Sequence, residues 1–262
     1  MVQSSSSVAV AARILKLLTR YRLSHATLTQ IAAELAVPKS SCSRILKALV
    51  EEGLLTHDPL TKLYSLGPYA IIIGSRASEN VDYLRPVRSA MEELATKTSL
   101  TAAWIQRVEP NRLMYVAKQE GTAHTHVSIS IGNRFPLNEV SWGQWVVAYA
   151  DPEEQQRILA GGLPRVSRTN ITDPQEYLAH ARAARERGIL TTSGDYMPGI
   201  WAASAPVVTY DQQLVGILAI IGLADTLDED ERSSAAELTR EVGRRTVVSS
   251  AGGPAAAVPG PA

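Results

Sequence analysis

Six polar or basic side chains, Lys39, Ser40, Ser41, Ser43, Arg44 and Lys47, stand in one short segment and share a chemistry suited to a nucleic-acid groove. Short hydroxyls can approach a duplex closely, and an arginine reaches either a phosphate oxygen or the acceptor edge of guanine. Cys42, Ile45, Leu46 and Leu49 recur among them at spacings of three, four and seven. A helix would therefore carry the apolar set on one face and leave the polar set largely off it. Its first turn would also offer free amides and a partial positive charge to a phosphate. Thr27 upstream and Lys62 downstream are two further candidate DNA contacts, with His57 close by. A small helical protein-interaction domain with a solvated basic face could use the same residues. It gives no reason for the elements that surround them.

Those elements form a consistent series. Val10, Ile14, Leu17 and Leu18 predict a first helix from Ser7 to near Tyr21, after loose residues 1–6. Thr27 with Gln30 predicts a capping box for a second helix, whose inner face is Ile31, Ala32 and Leu35. Val37 and Pro38 make the turn, and the third helix runs from about Pro38 to Glu52, stopped by Gly53. Leu54 to Thr56, a turn at residues 58–62, and Leu63 to Leu66 predict a two-stranded wing. The order of elements is that of a helix-turn-helix with one basic helix aimed at a major groove.

Behind Gly67-Pro68 the pattern changes. A connecting helix is expected from Tyr69 to about Glu79, then a helix from Asp82 to Lys97. Strand-like runs follow at 100–106, 113–117 and 127–131, helices near 141–150, 153–160 and 174–187, strands at 200–209 and 214–223, and a last helix at 228–245. The fold class is α+β, and the tail 248–262 is expected to be disordered. Domain bounds follow at 7–67, 68–80 for the linker helix, and 81–247. Total charge is zero, yet residues 1–66 hold eight Lys/Arg against four Asp/Glu. A polyanion is thus drawn to the front and mildly repelled behind. The longest apolar runs fall short of a membrane span, no signal-peptide pattern opens the chain, and Cys42 is the sole cysteine, so a cytoplasmic protein without membrane partner or disulfide is expected.

All four tryptophans, Trp104, Trp142, Trp145 and Trp201, lie in the rear part. If they converge they could line an apolar or aromatic pocket; core packing or a subunit interface is the alternative. His124 and His126, two apart on one strand face, invite a metal reading with Asp195 as third ligand. No metal-helix, paired-cysteine, phosphate-loop or nucleophile-elbow motif accompanies them, so no catalytic residue, metal or cofactor is expected.

With LTQIAAELAVPKSSCSRILKALVEEGLL followed by YSLG, the front resembles the IclR-type family of bacterial transcription regulators. Behind it, Gly132, Pro136 and Gly143 in GNRFPLNEVSWGQWVVAYA, and Gly199, Ala205 and Pro206 in PGIWAASAPVVTYDQQLVGILAIIGL, extend the resemblance over roughly 8–247. It implies a winged helix-turn-helix, a linker helix and a GAF-like effector-binding domain. It also implies a homodimer or dimer of dimers, double-stranded DNA bearing a palindromic operator as partner, and a small-molecule effector, with a repressor the expected sign. A silent sensor domain is the alternative. Where many members carry Gly-Lys, this chain has Gly143-Gln144. Where keto-acid binders carry Asp, Cys and paired Ser, an ungapped match gives Thr192, Ala202, Ala219 and Ile221. A small hydrophilic acid would lack hydrogen bonds there, so an aromatic or largely apolar acid is expected. Gln106, Arg107, Thr192 and Ser204 are the candidate polar anchors beside the tryptophans.

Overall fold

The computed structural model describes residues 6–79 and 84–248 and separates the chain into two compact units, Met1–Asn80 and Val81–Ala262. In the first unit, α1 (Ser7–Leu18), α2 (Leu28–Leu35) and α3 (Lys39–Glu51) pack their stripes together. Ile14, Ile31, Leu46 and Leu55 are fully buried at the centre. The capping box forms: Gln30 N–H donates to Thr27 Oγ1, and the Gln30 side chain accepts from Thr27 N–H. Ala36, not a glycine, takes the left-handed conformation (φ 52°) that ends α2, and Arg13 donates to the Leu35 carbonyl at 2.7 Å. Pro38 sits one residue before α3, as its N-cap.

Gly53 (φ 69°) turns the chain out of α3. Leu54 N–H reaches the Leu49 carbonyl and Gly53 N–H the Val50 carbonyl, the paired bonds of a Schellman ending. The wing has three strands rather than two, because β1 (Ala26–Thr27) pairs with β3 (Leu63–Leu66), which pairs with β2 (Leu55–His57). Two residues of strand leave no periodicity to read. The linker helix α4 (Pro68–Glu79) starts where Tyr69 N–H meets the Gly53 carbonyl.

In the second unit a six-stranded antiparallel sheet runs β6 (Arg134–Pro136), β5 (Arg112–Gln119), β4 (Thr101–Glu109), β9 (Leu214–Leu223), β8 (Ile200–Val208), β7 (Leu190–Ser193). One face packs α6 (Gly143–Tyr149), α7 (Pro152–Ala160) and α8 (Pro174–Arg187); the other packs α5 (Leu84–Thr98) and α9 (Glu229–Arg245). Cover on both faces explains why β9 reads as an unbroken apolar run instead of an alternating one. Close approach sets the small residues: a Cβ on Gly243 of α9 would lie 2.4 Å from the Ala205 Cβ on β8.

Three expectations shift. Residues 127–131 are not a ladder strand; Ile129 is buried in the core, but the β5 edge pairs with β6. The short polar strand β7 is additional. Val248 is buried and bridges Thr209, so it belongs to the packed unit; 249–262, the rest of the expected tail, and Asp82, the expected start of α5, lie outside the described residues, as do 1–5.

Candidate functional site

On α3 the apolar stripe Cys42, Ile45, Leu46 and Leu49 is buried, which turns Lys39, Ser40, Ser43, Arg44 and Lys47 outward. Ser41 is half-buried beside them. Lys39 and Arg44 have no hydrogen-bond or ion-pair partner among the described residues, and Lys47 has only the loose Glu51 pair at 3.8 Å. An exposed pair of that length contributes little, so this face is available to a ligand. Thr27 is spent on the capping box at the start of α2. Lys62 is exposed at the wing tip with φ 60°, in a turn closed by Lys62 N–H to the Asp58 carbonyl at 2.8 Å. Asp58 also accepts from the Thr61 hydroxyl and the Leu60 amide, which hold its carboxyl below its ordinary range. His57 instead stacks on Tyr64 at 4.4 Å and packs the wing.

The four tryptophans do not converge. Trp104 and Trp201 belong to the core under α5 and α9, and Trp142 and Trp145 to the core under α6 and α8. Strand alternation separates them: a Cβ on Gly216 of β9 would strike the Trp104 ring at 2.4 Å, so that ring fills its own face. Gln106 is buried, donating to the Val215 carbonyl at 3.3 Å, and Arg107 is bound by Glu154 at 2.7 Å and the Pro110 carbonyl. Neither stands with the α6/α8 tryptophans as an open anchor. Ser204 does lie on that face, where Trp145 Nε1 donates to its Oγ at 2.9 Å. Thr192 is opposite Ala202, which is opposite Ile221, so the three share one row across the same face; Ala219 stands opposite Ser204 in the next row.

The geometry assembles a cluster around Trp142 whose other members, Tyr115, Phe135 and Tyr196, sequence reasoning missed. Tyr115, Phe135 and Trp142 meet edge to face at centroid distances of 4.9 to 5.8 Å, and Tyr196 meets Phe135 at 5.7 Å. Beside them Asp195 accepts from Ser141 Oγ at 3.0 Å and Thr169 Oγ1 at 3.4 Å. Burial pushes its carboxyl up, opposed by the Ser141 hydrogen bond. An open groove of about 600 Å³ adjoins, between residues 165–169 and Gly194 and Pro198. The one signal in the sequence was the loop Gly-Asp-Tyr-Met-Pro-Gly at 194–199, with a glycine at each end. His124 and His126 are exposed and off any strand, and the described residues hold no cluster of metal-ligating side chains. Among the described residues no helix is long and apolar enough to cross a membrane.

A winged helix with an open basic face, on the same chain as a separate helix-covered sheet edged by aromatic rings, defines a transcription regulator with distinct DNA-binding and sensing units. Comparison with known proteins makes the class specific. The family model of the IclR helix-turn-helix domain matches residues 7–59, and that of the bacterial transcriptional regulator IclR C-terminal domain matches 76–247. The regulator KipR of Bacillus subtilis is 25% identical over 226 residues, 83% of this chain and 90% of its own. A crystal structure of an IclR transcriptional regulator from Alicyclobacillus acidocaldarius is 30% identical with a TM-score of 0.87, covering 93% of this chain and 98% of the other. An IclR homologue from Microbacterium hydrocarbonoxydans, solved in complex with 4-hydroxybenzoate, shares the fold at 19% identity and TM-score 0.75, covering 92% and 97%. The chain belongs to the IclR family of bacterial transcriptional regulators: it is a ligand-responsive DNA-binding protein and not an enzyme.

Proposed function

We propose that this regulator is a repressor that reads a palindromic operator with α3 and the wing, as a homodimer or a dimer of dimers, and is gated by an aromatic or largely apolar acid. The observation that carries the reading is the outward polar face of α3, where Lys39 and Arg44 have no partner among the described residues and Lys47 has only the loose Glu51 pair. Lys39, Ser40, Ser41, Ser43, Arg44 and Lys47 would enter the groove, and Lys62 would contact the flanking backbone. Thr27, half-buried in its cap, would present the start of α2 to a phosphate.

The effector side rests on the α6/α8 face, read as a GAF-like sensor. Rings of Tyr115, Phe135, Trp142 and Tyr196 suit an aromatic ligand, with Thr192 and Ser204 the polar groups on that face. Ala202, Ala219 and Ile221 leave a small hydrophilic acid without partners, which favours a larger apolar one. The 4-hydroxybenzoate held by the Microbacterium homologue is a ligand of that kind. Ile71, Ile72 and Ile73 of α4, exposed at 76%, 53% and 54%, suit a contact with a second subunit that fixes the spacing of two recognition helices.

Substitution of Arg44 tests the DNA half. If Arg44 reads a base, Arg44→Ala weakens specific binding by about 1–3 kcal/mol and nonspecific binding much less. Equal loss for both would make it a phosphate anchor, and no loss for either would remove α3 from the interface.

A further inference from the structure

Residues 194–199 join β7 to β8, with Gly194 at φ 75° and Gly199 at φ 76°. A Cβ at either glycine would meet nothing within 4 Å, so glycine is required there by the backbone turn and not by crowding. At its base the loop is tied by backbone: Gly194 N–H to the Ile200 carbonyl at 2.9 Å, and Ala224 N–H to the Gly199 carbonyl at 2.8 Å. At its tip the ties are of another kind. Asp195 takes hydroxyl bonds from Ser141, just before α6, and from Thr169, in the connection between α7 and α8, while Tyr196 lies edge-on to Phe135 of β6. Among the described residues no backbone hydrogen bond joins the tip to any of these three elements.

A segment bounded by two left-handed glycines, closed on itself by Ile200 N–H to the Met197 carbonyl, and held to the neighbouring elements by side chains alone can pass from a fastened to a released arrangement. We infer that residues 194–199 form a lid over the Phe135–Trp142 rings, held shut by Asp195 as a latch across Ser141 and Thr169. The inference rests on the reading of that face as the effector site and adds its regulation: a ligand reaching the rings must displace Tyr196 and break the latch. Asp195 and Tyr196 are then positioning residues, acting through the lid. The groove beside Thr169 leaves room for the released tip. Burial already disfavours the Asp195 charge, which keeps the latch from being so strong that it never opens.

Two measurements on the full chain decide this without DNA or effector, so they stand or fall apart from the effector reading. Tyr196 is partly exposed in place (40%), but a protease needs the surrounding chain drawn out, so the rate of chymotrypsin cleavage after Tyr196 rises with the released population. Ser141→Ala and Asp195→Ala should each raise that rate on the order of tenfold, with Thr169→Ala in between. Acrylamide quenching gives the second readout, because Trp104, Trp145 and Trp201 are buried and Trp142 is the half-exposed ring under the lid. Quenching should rise in the same variants, and Tyr196→Phe should leave both readouts near wild type. Unchanged cleavage in Ser141→Ala and Asp195→Ala would overturn the latch. Faster cleavage with unchanged quenching would show that the loop opens but covers nothing.

Discussion

The hydrogen bond from Trp145 to Ser204 ties α6 to the sheet on the proposed sensing face, and its removal has a calculable effect. Ser204 is 1% exposed and Trp145 fully buried, so Ser204→Ala leaves the indole N–H without a partner and without water. An unsatisfied buried donor costs about 1–3 kcal/mol, and the cavity left by one oxygen adds little. A loss of about 2 kcal/mol corresponds to a fall of roughly 4–8 °C in Tm for a unit of this size. All four tryptophans lie in the second unit, so their fluorescence in urea follows that unit without contribution from the winged helix. The control is Trp145→Phe, which removes the donor itself. In that background Ser204→Ala should cost only about 0.5 kcal/mol, the difference being the coupling between the two groups. Equal cost of Ser204→Ala in both backgrounds would refute the argument that the bond, rather than the serine alone, holds the helix.

Further outcomes follow from other contacts. Ile72→Glu should lower the subunit-association constant and weaken operator binding by about 1.4 kcal/mol, tenfold, as read by light scattering and anisotropy; unchanged mass with unchanged affinity would remove α4 from the interface. Gly143→Ala should destabilise the second unit by about 3 kcal/mol or more, seen as lost soluble yield, because its Cβ would fall 1.9 Å from the Leu137 carbonyl oxygen. Arg245, with Lys97, holds the Glu93 carboxyl down at about 2 against an ordinary 4.5. A depressed carboxyl stabilises the fold above its ordinary value and loses that contribution as pH falls toward the lowered one. The Tm difference between wild type and Glu93→Gln should therefore be constant above pH 5 and vanish as pH falls from 4.5 to about 2.

The front of the chain was more legible than the rear because its signals are local. The Thr27–Gln30 box, the Cys42–Leu49 stripe and the Gly53 stop each act within a few residues, and the structure forms all three. The exposed face of α3 follows from that stripe. The rear depends on which strand lies beside which. Spacing could not show that Trp104 and Trp145 occupy opposite faces, since that is fixed by the register of β4 against β9 and of β9 against β8, whose Ser204 holds Trp145. Residues 127–131 have the alternation of a strand, yet a ladder needs an open edge, and β6 occupies it. The aromatic cluster joins residues 115, 135, 142 and 196, separations no periodicity connects. Asp195 drew attention as a metal ligand; its partners turned out to be the Ser141 and Thr169 hydroxyls and the Ser193 backbone.

Binding of the purified protein to DNA from its own upstream region, at fixed salt and with a panel of aromatic and aliphatic acids, tests the central claim most directly. The account predicts specific binding that one aromatic or largely apolar acid releases, while small keto acids leave it unchanged. Specific binding that responds to small hydrophilic acids alone, or to no compound in the panel, would contradict the proposed sensing face, and binding that tightens with the acid would contradict repression by release.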